Sequence, residues 1–103
     1  KSSYMIDKNV SITLFERAEI KIIGRVQGVF FRYGVKELAD DLGLTGVARN
    51  ETDGSVHIIA EGPKGSLQKL VQWCKKGTEW SRVDRVEMEW KTATNEFKFF
   101  NIV

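Results

Sequence analysis

The sequence predicts an α/β (α+β) protein in which two helices cover one face of a mainly antiparallel sheet. Three observations lead to this prediction. Apolar residues recur with period two in some segments and at helical spacing in others, which gives the element order βαββαβ plus a C-terminal strand. Each helical segment carries one apolar stripe, so it can cover a single face of a sheet. A chain of 103 residues is also long enough for one packed core.

The first part of this order is a strand followed by a helix. Apolar and charged residues alternate from Arg17 onward, which predicts a half-buried strand. A helix is predicted over Phe31–Leu42, where apolar residues recur at i, i+3, i+4 and i+7, and Gly43 ends it. The inward residues of the strand are Ala18, Ile20 and Ile22.

A hairpin is predicted after the first helix. Residues 47–50 form a short strand, and the Asp-Gly pair within residues 51–54 is typical of a hairpin turn. Alternation over residues 55–60 predicts the third strand of the sheet.

The last part of the chain contains a second helix and two strands. The helix begins after Gly62-Pro63 and ends at Gly77, and its apolar stripe is Leu67, Leu70, Val71 and Cys74. Alternation over residues 86–91 predicts a fourth strand, and the apolar residues 97–102 predict a fifth. The residues interpreted as packing aromatics are Trp73, Trp80 and Trp90.

This element order is that of a ferredoxin-like two-layer sandwich. In its split βαβ unit the first two strands are parallel, because a right-handed crossover joins them. Their C-terminal ends therefore lie at the same end of the sheet. We expect residues 24–32, which follow the first strand, to lie near Asn50, which ends the second.

Residues 24–32, Gly-Arg-Val-Gln-Gly-Val-Phe-Phe-Arg, have the composition of an anion-binding loop. The segment contains two glycines and no acidic residue, leads from a strand into a helix N-terminus, and ends at an arginine. We interpret it as a phosphate-binding loop in which the guanidinium of Arg32 contacts two phosphate oxygens. No Gly-Lys-Ser/Thr sequence accompanies it, which distinguishes it from nucleotide-binding P-loops.

Two motifs in the chain resemble those of the acylphosphatase family. The first is residues 24–32, and the second is Gly-Val-Ala-Arg-Asn-Glu-Thr-Asp-Gly at residues 46–54, followed by Glu61-Gly62. The resemblance covers about residues 17–102. It implies an acid-anhydride hydrolase that converts acyl phosphates to carboxylate and inorganic phosphate, without a metal or cofactor.

The resemblance also implies roles for individual residues. Arg32 matches the arginine that binds the phosphate, and Asn50 matches the asparagine that positions the attacking water. Because an asparagine has no useful pKa, Asn50 cannot act as a base, and we expect the proton to leave to the substrate phosphate. The backbone amides implied as a phosphate cradle are those of Gln27, Gly28, Val29, Phe30 and Phe31.

Composition and charge narrow the remaining function classes. A net charge of +2 gives no indication of nucleic-acid binding, and no apolar run reaches the roughly 18–20 residues of a membrane span. The single cysteine, Cys74, excludes an internal disulfide, and with His57 as the one histidine an ordinary Cys/His zinc site is excluded too. We expect a cytoplasmic monomer without nucleic-acid or membrane partners, whose ligands are a small acyl phosphate and inorganic phosphate as product and inhibitor.

Residues 1–16 are predicted to form an N-terminal extension, either a short extra strand or a disordered tail, before a domain at residues 17–103.

The alternative to an enzyme is a non-catalytic phosphate- or carbamoyl-phosphate-binding module, since the domain is similar to one in larger maturation enzymes. An RNA-binding domain of this topology needs aromatic residues on the open face of the sheet. The residues expected on that face form no aromatic stacking platform, so RNA binding is not favoured; they are Lys21, Ile23, Ser55, His57 and Ile59.

Overall fold

The computed structural model describes residues 14–103, and most of the predicted N-terminal extension lies outside them. In chain order the elements are β1 (Phe15–Arg25), α1 (Phe31–Leu42), β2 (Thr45–Asn50), β3 (Val56–Pro63), α2 (Lys64–Lys76), β4 (Arg82–Lys91) and β5 (Phe100–Ile102). The bounds of α1 are those predicted, and the helix ends at Gly43 in a left-handed conformation with φ of 70°. Within residues 14–103 neither helix has the length and apolar character needed to cross a membrane.

The five strands form one sheet in the order β4-β1-β3-β2-β5. β1 pairs antiparallel with β3 and β4, β2 pairs antiparallel with β3, and β5 pairs parallel with β2. Since β1 and β2 are both antiparallel to β3, they run parallel to each other. The predicted ferredoxin-like sandwich is confirmed, and the C-terminal ends of β1 and β2 lie at one end of the sheet.

Strand pairing at this end fixes the neighbours of the loop that leaves β1. Ile22 and Asn50 pair with Val56, the first residue of β3, from opposite sides. Arg25 at the end of β1 pairs with Arg82 at the start of β4. The loop after β1 therefore has the β2–β3 turn on one side and the α2–β4 loop on the other.

The core lies between the sheet and the two helices. α1 packs over β2 and β5, whereas α2 packs over β1, β3 and β4. Burial of one Leu or Ile side chain contributes about 1.5–3 kcal/mol to stability. Cys74 is also buried here, and burial raises the pKa of its thiol to about 12. Fully buried aliphatic side chains include Ile20, Ile22, Val35, Ile58, Leu67 and Leu70.

The last strand is shorter than the sequence predicted. Its pairing with β2 is confined to Phe100–Ile102, whereas a strand over residues 97–102 was expected. Ahead of it, the buried carboxylate of Glu61 accepts hydrogen bonds from the backbone N–H groups of Thr94 and Asn95, both at 2.9 Å. These two bonds hold residues 94–95 against Glu61. β2 begins at Thr45 and its Gly46 pairs with Phe100, so residues 97–98 have no strand partner in β2.

The interpretation of Trp80 as a packing residue is wrong. Its side chain is 59% exposed in the α2–β4 loop, where it meets the ring of Phe30 edge-on with centroids 5.7 Å apart. Trp73 on α2 does pack, with its ring centroid 5.3 Å from that of Phe31. Trp80 lies outside both helices, so no periodic pattern in the sequence indicated where its ring would point.

Candidate active site

The loop between β1 and α1 has the backbone geometry of an anion nest. Within residues 27–31, hereafter the cradle loop, Gly28 has φ of 73° and Phe30 has φ of 64°, while the other three have negative φ. Such alternation of φ turns successive N–H groups toward one side of the backbone, which suits a bound anion. A Cβ on Gly28 would meet no atom within 4 Å, so its backbone conformation, rather than lack of space, favours glycine there.

The N-terminus of α1 continues the cradle loop, and no side chain of the described residues caps it. Its N-cap residue is Phe30, whose side chain cannot accept a hydrogen bond, and the first turn contains no acidic residue. Within residues 14–103 the N–H groups of residues 27–31 donate to no backbone carbonyl. Free first-turn N–H groups together with the helix dipole favour an anion at this position.

The side chain of Gln27 ties the cradle loop to the β2–β3 turn. Its Nε2 donates to the carbonyl oxygens of Glu51 at 2.7 Å and Ser55 at 2.9 Å. The turn is itself closed, because the N–H of Glu51 donates to the Ser55 carbonyl and Asp53 accepts from the Ser55 N–H at 3.0 Å. Sequence reasoning assigned Gln27 a backbone role only and missed this side-chain contact. An uncharged amide inside an otherwise apolar loop was the available signal.

Arg32 lies at the start of α1, beside the cradle loop. It lines a cavity of about 140 Å³ together with Gly28, Phe30 and Tyr33. Its Nη1 donates to the main-chain oxygen of Val103 at 2.8 Å, which uses one of the five guanidinium donors. Within the described residues no Asp or Glu side chain pairs with Arg32.

Asn50 is the last residue of β2 and adjoins the turn that Gln27 contacts. Its Oδ1 is buried and accepts no hydrogen bond from residues 14–103. A buried acceptor left without a partner costs about 1–3 kcal/mol. Most buried polar atoms are satisfied, so this Oδ1 differs from the usual case in having no hydrogen-bond donor among the described residues.

Two hydrogen bonds of Val103 connect the side chain of Arg32 with β2, which ends at Asn50. Val103 accepts from Arg32, and its own N–H donates to the Ala48 carbonyl at 3.0 Å, two residues before Asn50. The predicted cradle residues, the predicted arginine and the predicted asparagine are therefore assembled around one loop. Sequence reasoning missed Val103, because its contact depends on the short parallel pairing of β5 with β2.

The other side of the cradle loop is fixed by the α2–β4 loop. Thr78 Oγ1 donates to the Val29 carbonyl at 2.9 Å, and Ser81 Oγ in turn donates to the Thr78 carbonyl at 2.9 Å. The cradle loop is thus tied to the β2–β3 turn through Gln27 and to the α2–β4 loop through Val29.

The comparison with protein families places almost the whole described chain in one of them. A family model described as acylphosphatase matches residues 18–102. This chain belongs to the acylphosphatase family. The family prediction made from residues 24–32 and 46–54 is confirmed, and the match extends over nearly the same residues as the predicted resemblance.

Curated members of the acylphosphatase family are similar over most of the sequence. One from Caldanaerobacter subterraneus is 45% identical over 83 residues, covering 81% of this chain and 92% of that relative. Another from Pyrobaculum islandicum is 42% identical over 88 residues, covering 84% of this chain and 93% of that relative. Both proteins carry the name acylphosphatase.

Solved structures similar to this chain include an acylphosphatase and part of a larger protein. The crystal structure of an acylphosphatase from Bacillus subtilis has a TM-score of 0.82 and 38% identity, covering 87% of this chain and 99% of that one. A full-length HypF in a phosphate- and nucleotide-bound form also has a TM-score of 0.82, with 28% identity. The match spans 90% of this chain but 12% of the HypF chain.

Proposed function

We propose that this protein is an acylphosphatase, which hydrolyses the carboxyl–phosphate bond of acyl phosphates to a carboxylate and inorganic phosphate. The observation that carries this proposal concerns residues 14–103: among them the amide cradle has no side-chain cap, Arg32 has no Asp or Glu partner, and the buried Oδ1 of Asn50 accepts no hydrogen bond. The first two suit a phosphate group, and the third suits a water molecule.

The cradle loop and Arg32 bind the phosphoryl group. The N–H groups of residues 27–31 contact the equatorial oxygens, and Arg32 contributes two parallel charge-assisted hydrogen bonds. Phosphoryl transfer places negative charge on those oxygens in the transition state, so donors already fixed in position lower the barrier. One such donor typically contributes about 10²–10³ in rate.

Asn50 positions the attacking water. Its Oδ1 accepts a hydrogen bond from the water, whose oxygen forms a bond to phosphorus as the bond from phosphorus to the acyl oxygen breaks. The bonding electrons leave with the carboxylate, and the second proton of the water passes to a phosphate oxygen. The products are a carboxylate and dihydrogen phosphate, so atoms and charge balance. A carboxylate is a good leaving group, so positioning and charge stabilisation suffice without a nucleophilic side chain.

The non-catalytic carbamoyl-phosphate-binding alternative is not favoured. The relatives from Caldanaerobacter subterraneus and Pyrobaculum islandicum match over 92% and 93% of their own length, whereas the HypF structure matches over 12% of its chain. The family match and the proposed site therefore both favour catalytic activity over a binding module.

We further propose a monomer in the cytoplasm, with inorganic phosphate as a competitive inhibitor. Phosphate is the product held by the cradle loop, so it competes with the phosphate end of the substrate. A single buried cysteine fits a reducing compartment.

The test is to supply acetyl phosphate with and without a chelator and to follow its loss. We expect equal turnover in both samples and competitive inhibition by inorganic phosphate. Absence of turnover by the folded protein, while inorganic phosphate still binds, would overturn the enzymatic proposal in favour of the binding module.

A further inference from the structure

Three exposed aromatic side chains stand beside the cradle loop, and neither the core nor the proposed chemistry uses them. Phe30 and Tyr33 are each 63% exposed, and Trp80 is 59% exposed. The ring centroid of Phe30 lies 6.3 Å from that of Tyr33 and 5.7 Å from that of Trp80. We call these three residues the aromatic wall.

Phe30 connects the wall directly to the cradle loop. It contributes its backbone to the nest in a left-handed conformation, with φ of 64° and ψ of 19°. That conformation is costly for a bulky residue, and glycine would adopt it without strain. An exposed phenylalanine here is therefore explained by neither the backbone nor the core, which points to a use for its ring.

The wall is held in place rather than hanging from a loose loop. Tyr33 is anchored in the first turn of α1, and Trp80 lies in the α2–β4 loop. That loop is fixed to the cradle loop by the bond from Thr78 Oγ1 to Val29, and internally by Ser81 Oγ accepting from the Thr78 N–H at 2.9 Å. A fixed wall loses little conformational entropy when it contacts a ligand.

Phosphoryl transfer places the attacking and leaving groups on opposite sides of phosphorus. The water position proposed at Asn50 lies on the side of the cradle loop that faces the β2–β3 turn, to which the side chain of Gln27 is hydrogen-bonded. The aromatic wall belongs to the opposite side, next to the α2–β4 loop. The leaving carboxylate, and hence the acyl group, is therefore directed toward the wall.

A groove beside the wall has aromatic side chains along part of its lining and no net positive charge. It has a volume of about 590 Å³, and Phe30, Tyr33 and Trp73 are among its lining residues. Its charged residues are Lys36, Glu37 and Asp40, and Lys36 is already paired with Asp40 at 3.0 Å. The groove therefore offers no excess positive charge for a second anionic group of the substrate.

We propose that the aromatic wall is the acyl-binding subsite, and that it favours acyl phosphates with an aromatic or similarly large apolar acyl group. This inference rests on the proposed acylphosphatase function. It specifies the acyl group of the substrate, whereas the motifs at residues 24–32 and 46–54 concern only the phosphate group. The cradle loop holds the phosphate, and edge and face contacts of Phe30, Tyr33 and Trp80 hold the acyl group.

The test compares kcat/KM for benzoyl phosphate with kcat/KM for acetyl phosphate. The ratio should exceed one in the wild type, and Trp80→Ala and Tyr33→Ala should each lower it by about 5- to 30-fold. The matched control is Phe99→Ala, because Phe99 is 70% exposed and lies at the opposite end of β2 from Asn50. Its ratio should equal that of the wild type.

The outcomes separate this inference from the proposed function. Hydrolysis of both substrates with a ratio unaffected by Trp80→Ala and Tyr33→Ala would overturn the acyl subsite and leave the acylphosphatase activity standing. If neither substrate is hydrolysed, the proposed acylphosphatase function is overturned. The acyl subsite is then tested by calorimetry, which compares the binding of benzoylphosphonate with that of acetylphosphonate. Tighter binding of benzoylphosphonate that is lost in the two variants supports the wall, and equal binding of the two probes overturns it.

Discussion

Arg32 differs from an ordinary surface arginine in what surrounds it. Its guanidinium is oriented by the Val103 carbonyl at 2.8 Å and borders the cavity next to Gly28. A planar fork held in this way can bind two phosphate oxygens at once, whereas an ammonium group acts as a point charge. The orientation of the fork, as well as its charge, is therefore expected to matter for turnover.

Arg32→Lys tests whether the planar guanidinium matters, because the substitution keeps the positive charge and removes the two parallel N–H donors. We expect kcat/KM for acetyl phosphate to fall by about 10²–10³. Arg49→Lys is the matched control, since Arg49 is an exposed arginine of β2 that pairs with Glu51 at 2.9 Å. It should change kcat/KM less than about twofold, as surface pairs contribute little. Wild-type turnover in Arg32→Lys would contradict the assigned role.

Among the elements, the end of β1 determines where the cradle loop starts. The pairing of β1 with β4 shifts register between Ile23 and Gly24, and Gly24 has φ of 144°. A Cβ on Gly24 would lie 2.1 Å from the carbonyl oxygen of Arg82. The close approach of the two strands therefore requires glycine, and it directs the chain from the sheet into the loop.

Gly24→Ala should destabilise the protein, because the strands must separate and the backbone is strained. We expect a loss of about 2 kcal/mol or more, or a fall in Tm of roughly 10 °C. Gly65→Ala is the control, since Gly65 lies in α2 with no atom within 4 Å of an added Cβ. It should leave the protein as stable or stabilise it by up to about 1 kcal/mol. Equal melting temperatures for the two variants would refute the close-approach explanation.

A second element-scale feature is the clamp that joins β1, β3 and the segment before β5. Burial alone would raise the pKa of the Glu61 carboxyl, but bonds from Thr94 and Asn95, together with Arg17 at 2.9 Å, hold it below its ordinary value. A carboxyl with a lowered pKa in the folded state contributes stability above its unfolded pKa. That contribution is lost as pH falls through the folded value.

Glu61→Gln should therefore have a pH-dependent effect. Near pH 7 we expect a loss of about 2 kcal/mol in the free energy of unfolding, because charged hydrogen bonds are removed. The difference from the wild type should shrink as pH falls through the lowered pKa of Glu61, because the wild-type carboxyl then becomes protonated as well. Urea titrations at several pH values measure this, with the exposed Glu89→Gln as control. A difference that is independent of pH would contradict the clamp.

For the whole molecule, local patterns predicted the elements well, and tertiary contacts account for the exceptions. The bounds of α1 followed from its stripe and from Gly43, which are both local features. The length of β5 did not, because β2 begins only at Thr45 and leaves residues 97–98 without a strand partner. The parallel relation of β1 and β2 followed from the element order alone, and it brought Asn50 to the cradle loop.

The site was predictable where sequence motifs carry it and unpredictable where distant segments meet. Arg32 and the cradle residues lie within nine consecutive positions, so they could be identified together. The contacts of Gln27 with Glu51 and Ser55, and of Arg32 with Val103, join residues 24 to 71 positions apart. No periodicity or spacing indicates such contacts before the sheet is assembled.

The central claim is that one end of the sheet joins a phosphate cradle to a water position. The most direct test measures turnover of acetyl phosphate and binding of inorganic phosphate in Asn50→Ala, with the exposed Asn101→Ala as control. We predict that Asn50→Ala lowers kcat by about 10²-fold or more while phosphate affinity stays within about twofold, and that Asn101→Ala changes neither. Retained turnover in Asn50→Ala, or a loss of phosphate affinity in parallel with turnover, would contradict the claim.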